Sequence, residues 1–359
     1  MFLLQKKVYF RKMNFLRKIL FPFAIIYGWI MQFRNYLYDI GFFNSSSFEI
    51  PIIAVGNLSV GGTGKTPQIE YLIRLLSDTY KIATLSRGYK RESEGFVLAD
   101  TSSNASILGD EPFQFYSKFP NIQVAVDANR KNGIAQLLAQ KVQPDIILLD
   151  DAFQHRRVKA GFYILLTSYD DFFYKDYILP TGHLRESRSG AKRAHMIIVT
   201  KCPKDLSELA QAKIAEKIAP YFKGNTKSND AIFFSYIDYD DTIYSINETK
   251  PVTEFKLVPK VLVAGIAKPK PFFDFLQTKN DVILTFQDHH QFSEKDILDI
   301  KKQAKEKSIV TTEKDYMRMK NSILSDQLYY LPIQTSFINK GDFFDKTILN
   351  YVGKSTRNS

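Results

Sequence analysis

The segment "IPIIAVGNLSVGGTGKTPQIE", residues 50–70, constrains this chain more than any other. An apolar run suited to a buried strand enters a glycine-rich turn and then a helix-forming stretch, the setting of a phosphate-binding loop. Such a loop works because backbone N–H groups of a tight turn and of a helix N-terminus converge on one anion. Ser59, Val60, Gly61, Gly62, Thr63 and Gly64 make the turn, with the glycines allowing close backbone approach. Lys65 brings an ammonium to the β and γ phosphates, and Thr66 offers a hydroxyl to Mg²⁺. The strict pattern G-x-x-x-x-G-K-[ST] asks for glycine where Ser59 stands, a position at the start of the loop that tolerates a small side chain. Pro67 falls in the first helical turn, where its missing N–H is not needed.

Around this loop, short apolar strands alternate with amphipathic helices. "IATLS", "NIQVAV", "DIILLD", "FYILLT" and "MIIVTK" read as strands, and residues 68–76, 111–118, 128–140 and 206–219 as helices. Near-continuous apolar strands separated by helices predict a mostly parallel sheet covered on both faces. The fold class is therefore α/β, a P-loop core with flanking helices. Ligands of such sheets bind at the carboxyl ends of the strands, where Asp150 and Asp151 follow "DIILL", so one or both are candidates to hold Mg²⁺. The polar stretch "KGNTKSND" marks the best domain boundary. The expected division is an N-terminal segment over 1–45, a P-loop core over 46–225, a smaller C-terminal α/β domain over 226–345 and a disordered tail over 346–359.

The net charge of +11 raises the question of an anionic partner, and its distribution answers it. Residues 1–43 carry Lys6, Lys7, Arg11, Lys12, Arg17, Lys18 and Arg34 against Asp39 alone. These charges flank aliphatic and aromatic residues rather than a polar groove, which argues against nucleic acid. The uncharged run from Ile19 to Phe33 is shorter than the roughly 20 residues a spanning helix needs. No A-x-A-like cleavage site follows it, which disfavours a signal peptide. A buried helix is the plainer alternative, but a helix lying in the headgroup region fits the pattern best, and Pro22 raises the question of one helix or two. The single cysteine, Cys202, excludes an intramolecular disulfide.

Guanine-reading GTPases need an N/T-K-x-D element, and neither "TKCP" nor "TEKD" supplies it. In chain order, "VGNLSVGGTGKTP", "SRGYKR", "GDEP", "DDAFQH", "LPTGHLRES", "IIVTK", "DHHQF" and "TTEKD" resemble the tetraacyldisaccharide 4′-kinase family, over Val55 to Asp315. Ala152 departs from that family's usual "DDGFQH". The resemblance implies an ATP- and Mg²⁺-dependent kinase that phosphorylates the 4′-hydroxyl of a tetraacyldisaccharide 1-phosphate to give lipid IVA. It also implies a peripheral or monotopic position on the cytoplasmic face of the inner membrane, with the acylated lipid as partner, and no protein partner is evident.

The resemblance implies that Asp110 in "GDEP" matches the family's catalytic aspartate and His289 in "DHH" the histidine paired with it, with His290 as the local competitor. Asp110 falls in the first expected domain and His289 in the second, so closure of the two would assemble the pair and exclude water. Arg185 suits the charge on the transferring phosphoryl. Glu186 beside it, Tyr89, Arg130 and His155 match substrate or nucleotide contacts. A membrane-attached P-loop ATPase acting in assembly or partitioning is the rival of a different class. It would keep Lys65, Thr66 and Asp150 but have no use for a base on another part of the chain.

Overall fold

The computed structural model describes residues 17, 19–222, 229–288, 290–320 and 322–357. His289, most of the expected boundary stretch and the first dozen residues lie outside that set. The chain forms two compact units: Met1–Arg87 with Asn121–Tyr236 and Ser336–Ser359, and Gly88–Pro120 with Ile237–Thr335.

The first unit is built on a parallel sheet. Its strands lie in the order Ile232–Tyr239, Met196–Thr200, Phe162–Ser168, Ile52–Asn57, Ile146–Asp150, Ile82–Ser86 and Gln123–Val126. The earliest strand, Ile52–Asn57, is central, and the chain builds outward from it on both sides. The order reverses there, which is where such sheets open a crevice at their carboxyl ends. Register sets the chemistry: Val55 lies opposite Asp150, and Asn57 opposite Leu166. Both Ile52–Asn57 and Ile146–Asp150 are buried along their whole length, as sheet strands covered on both faces require.

Helices Lys65–Leu76, Arg130–Leu138, Glu208–Ile218 and Gly341–Arg357 belong to this unit. The last of these corrects the expected disordered tail. Phe344, Ile348 and Val352 recur every four residues, are fully buried, and place Phe344 against Phe233 and Phe337. Tyr351 adds hydrogen bonds to both the N–H and the carbonyl oxygen of Ile52. The helix is therefore part of the core that supports the central strand.

The helix Phe21–Asp39 starts with Pro22 in its first turn. Ala24, Tyr27, Gly28, Met31, Arg34, Asn35 and Tyr38 form its inward stripe at spacings of three and four, with Ala24 and Gly28 buried. A Cβ on Gly28 would come within 3.2 Å of Ile178, so the small residue allows close seating. The opposite face bares Phe23, Ile26, Trp29, Ile30 and Phe33, each more than half exposed. No helix among the described residues is long and apolar enough to cross a membrane.

The second unit has a mixed sheet in the order Thr249–Pro251, Thr242–Tyr244, Leu328–Leu331, Ile309–Thr312, Val261–Ala264 and Val282–Thr285. The last four run parallel, and the first two add an antiparallel edge. Alternation along Val261–Ala264 covers both faces: Leu262 and Ala264 pack with Phe272 and Leu276, while Val261 and Val263 pack with Ile300 and Tyr316. The α/β type expected for the C-terminal part is present, but its membership differs. Residues 88–120, expected in the P-loop core, belong here. Helix Asp110–Lys118 is tied to helix Glu313–Met319 through Lys118–Glu313 at 2.8 Å and Lys314–Glu111 at 3.0 Å. Asp110 is thus not part of the unit that holds the phosphate loop.

Candidate active site

The phosphate loop is held from both sides. On one side, Val60 N–H donates to His183 O at 2.8 Å and Arg185 N–H to Leu58 O at 2.7 Å, with Ser59 bridged to Leu184. This zip explains why position 59 need not be glycine: Ser59 lies in extended backbone, 5% exposed. On the other side, the Thr200 hydroxyl donates to Thr63 O at 2.7 Å and the Lys201 ammonium to Gly62 O. Gly61 and Gly64 have φ of 116° and 84°, the left-handed region that favours glycine, and Gly64 precedes helix Lys65–Leu76. Pro67 is in the first turn of that helix, and Thr66 is partly buried there.

At the strand ends the polar groups converge on Asn57, which is fully buried. Its Oδ1 accepts from Lys65 Nζ at 3.4 Å and from Arg185, and its backbone oxygen accepts from Gln154 Nε2 at 2.8 Å. Arg185 also grips Asp151 with both prongs of its guanidinium, at 2.9 and 3.1 Å, and Lys65 lies 3.7 Å from the same carboxylate. Burial pushes the Asp151 carboxyl up, but Lys65 and Arg185 outweigh it and hold it below the ordinary range. Asp151 itself has φ 48°, a backbone state in which aspartate is among the better-tolerated residues. Asp150, 8% exposed, receives Ser86 Oγ at 3.5 Å.

Two residues expected to touch substrate are buried and make several internal hydrogen bonds. Arg130 is 1% exposed and donates to the carbonyl oxygens of Asp127 and Asp150, so it braces the strand end from behind, and burial lowers its pKa to about 10. Glu186 is also 1% exposed. Its carboxylate accepts from Gln154 at 2.9 Å, from Asn35 at 3.0 Å and from Arg193 at 2.8 Å on each oxygen, which leaves it a buried anchor for the loop carrying Arg185. Tyr89 belongs to the other unit, 65% exposed with the Lys90 ammonium over its ring. Asp110 begins helix Asp110–Lys118 in that unit and pairs with Arg318.

His155 lines a cleft of about 920 Å³ beside the strand ends. Its lining mixes apolar side chains, Ile30, Phe33, Leu37 and Phe43, with the cationic Arg34, Lys131, Arg156 and Arg157. Burial, then the charges of Arg130, Arg87, Arg34 and Arg157, push the His155 imidazole down to about 4, so it is neutral near pH 7. Helix Phe21–Asp39 joins this region through Tyr27 Oη to Arg185 O at 3.0 Å and Arg34 to Gln154 O at 3.2 Å.

A nucleotide loop combined with this cleft narrows the field, and comparison with known proteins decides it. The family model described as Tetraacyldisaccharide-1-P 4′-kinase matches residues 16–352. This chain belongs to that family. A tetraacyldisaccharide 4′-kinase of Flavobacterium psychrophilum is 66% identical over 346 residues, covering 96% of this chain and 100% of the relative. One from Bacteroides thetaiotaomicron is 44% identical over 96% of this chain and 95% of its own length. The crystal structure of LpxK from Aquifex aeolicus in complex with ATP superposes with a TM-score of 0.76 at 28% identity, covering 94% of this chain and 99% of that one. Against the family motif, Ala152 replaces glycine without strain, since its φ is not positive, while Gly56 is needed because a Cβ there would meet Phe153 at 2.7 Å.

Sequence reading missed Asn57, Thr200, Lys201 and Arg193. "TK" was legible as a strand end, as part of "IIVTK" and as a failed guanine motif, but not as the pair of side chains that clasps the phosphate loop.

Proposed function

We propose that this chain transfers the γ-phosphoryl of ATP to the 4′-hydroxyl of a tetraacyldisaccharide 1-phosphate, giving lipid IVA. The observation that carries the reading is the meeting of Lys65, Arg185, Asp151 and Asn57 at the strand ends, beside a cleft lined by both apolar and cationic side chains. An acylated, phosphorylated sugar carries both complementary chemistries. The donor set also fits Mg²⁺, a hard cation that takes one or two carboxylates and leaves its other positions to water and phosphate. Thr66 and Asp150 would hold it, whereas both oxygens of Asp151 are engaged by Arg185. Once bound, Mg²⁺ would neutralise charge on the β and γ phosphates.

Lys65 and the loop N–H groups orient the donor. Arg185, preset by Asp151 and Asn57, meets the charge that develops on the transferring phosphoryl, so little reorganisation is needed during reaction. Asp110 takes the proton of the acceptor hydroxyl, with His289 as its partner. The bared face of helix Phe21–Asp39 rests in the headgroup region on the cytoplasmic side of the inner membrane, where the acceptor's acyl chains remain.

Incubation with labelled ATP and the acylated disaccharide 1-phosphate in mixed micelles tests this. A labelled bisphosphorylated lipid is expected. ATP turnover indifferent to the lipid would instead assign the chain to the membrane-attached ATPases.

A further inference from the structure

Asp110 is offered above as the base, and a base must be held where its proton arrives. We infer that Arg318 is the positioning residue for Asp110, an inference that rests on Asp110 acting as the base. The Arg318 side chain is 3% exposed, and its Nη2 pairs with Asp110 Oδ2. Its other prong reaches Asp315 Oδ1 at 3.3 Å, one helical turn back on helix Glu313–Met319.

Asp315 is itself immobilised. It is fully buried, and its Oδ2 accepts Gly265 N–H at 2.8 Å and the Thr312 hydroxyl at 2.7 Å. Gly265 follows directly on strand Val261–Ala264, and Thr312 caps the helix by accepting Asp315 N–H. A Cβ on Gly265 would come within 3.0 Å of Asp315, so the approach depends on glycine. The order of support is strand end, Asp315, Arg318, Asp110, all within one compact unit. "TTEKD" thereby gains a function the loop chemistry does not explain: Thr312 and Asp315 orient the guanidinium, while Glu313 and Lys314 clamp helix Asp110–Lys118 alongside it.

Arg318 does two things through Asp110. It fixes one carboxylate oxygen, which sets the orientation of the whole carboxylate, and it keeps a positive charge against the group that must accept the proton. A planar fork suits a bridge between two carboxylates better than an ammonium does.

The test is a double-mutant cycle on the full chain with ATP and the lipid acceptor. Arg318→Met should lower kcat by about 10²-fold while KM for ATP changes less than about threefold, and Arg318→Lys should recover part of the loss. Adding Arg318→Met to Asp110→Asn should cost less than about threefold further, because the group it positions is already disabled. An equal further loss in that background would overturn the positioning role. Near-normal turnover of Asp110→Asn alone would instead overturn the base assignment, a distinct outcome. Lys270→Met, which breaks an exposed ion pair with Asp274 in the same unit away from the Asp110 helix, should keep kcat within about twofold and controls for general loosening. Should Arg318→Met not fold, Arg318→Lys in both backgrounds supplies the same comparison, with additive losses overturning the role.

Discussion

At the scale of single residues, the site depends on a few cations whose positions are fixed before any ligand arrives. Arg185 illustrates this best, since two hydrogen bonds to Asp151 and one to Asn57 leave its guanidinium no other orientation. Arg185→Lys keeps the charge but cannot reproduce the fork. It should lower kcat about 10²–10³-fold with KM for ATP little changed, read by steady-state kinetics. His155 makes a prediction of the opposite kind, about stability. Its pKa is about 4 in the folded chain against an ordinary 6.5, so protons bind the unfolded chain more readily. The contribution of a neutral His155 is fully present above about pH 6.5, falls as pH drops through that window, and levels off below about 4. Tm measured at steps across this range should decline less steeply in His155→Gln than in the unaltered chain. Equal slopes would show that His155 is not the group responsible.

At the scale of elements, the C-terminal helix shows how composition misleads. "GKSTRNS" is polar enough to read as a tail, yet the apolar stripe of Phe344, Ile348 and Val352 lies just upstream and continues the helix through Arg357. Ile348→Ala removes a fully buried side chain from that stripe and should cost about 2–4 kcal/mol, measured by denaturant unfolding. A cost below about 0.5 kcal/mol would deny the helix its place in the core. The strand, turn and helix around the phosphate loop, by contrast, were legible, because they lie in consecutive residues whose spacing alone implies them. The central parallel strands were legible for a similar reason, since each is a short unbroken apolar run. Asn57, Thr200 and Lys201 were not, because each acts on a partner 97 or more positions away, and Arg193, seven residues from Glu186, reads as one charge among several in "RESRSGAKR". The assignment of residues 88–120 to the first unit failed likewise: ion pairs from Glu111 and Lys118 to residues more than 190 positions later decide it. Glu186 and Arg130 were legible as candidates, but their depth was not, since sequence does not reveal that a charged side chain is 1% exposed.

At the scale of the whole molecule, the proposed acceptor requires the chain to work at a lipid surface, and the two faces of helix Phe21–Asp39 divide the labour. The inward stripe supports the loop of Arg185 through Tyr27 and Asn35, so deleting the helix would damage the site and the proposed membrane contact together. Substitutions confined to the outer face separate them. Phe23, Ile26 and Trp29 are 60%, 54% and 70% exposed, and none of them lines the cleft. Burying each in the headgroup region is worth roughly 1.5–3 kcal/mol at most, so Phe23→Ser, Ile26→Ser and Trp29→Ser combined should reduce partition onto anionic vesicles at least about tenfold. Tm should hold, because these side chains support no internal packing. Turnover should fall when the acceptor is presented in vesicles and recover when it is dispersed in detergent, where the enzyme need not find a surface. Unchanged sedimentation with vesicles would remove the membrane role from this face, and a loss of turnover equal in both presentations would place these residues in the site rather than on the surface.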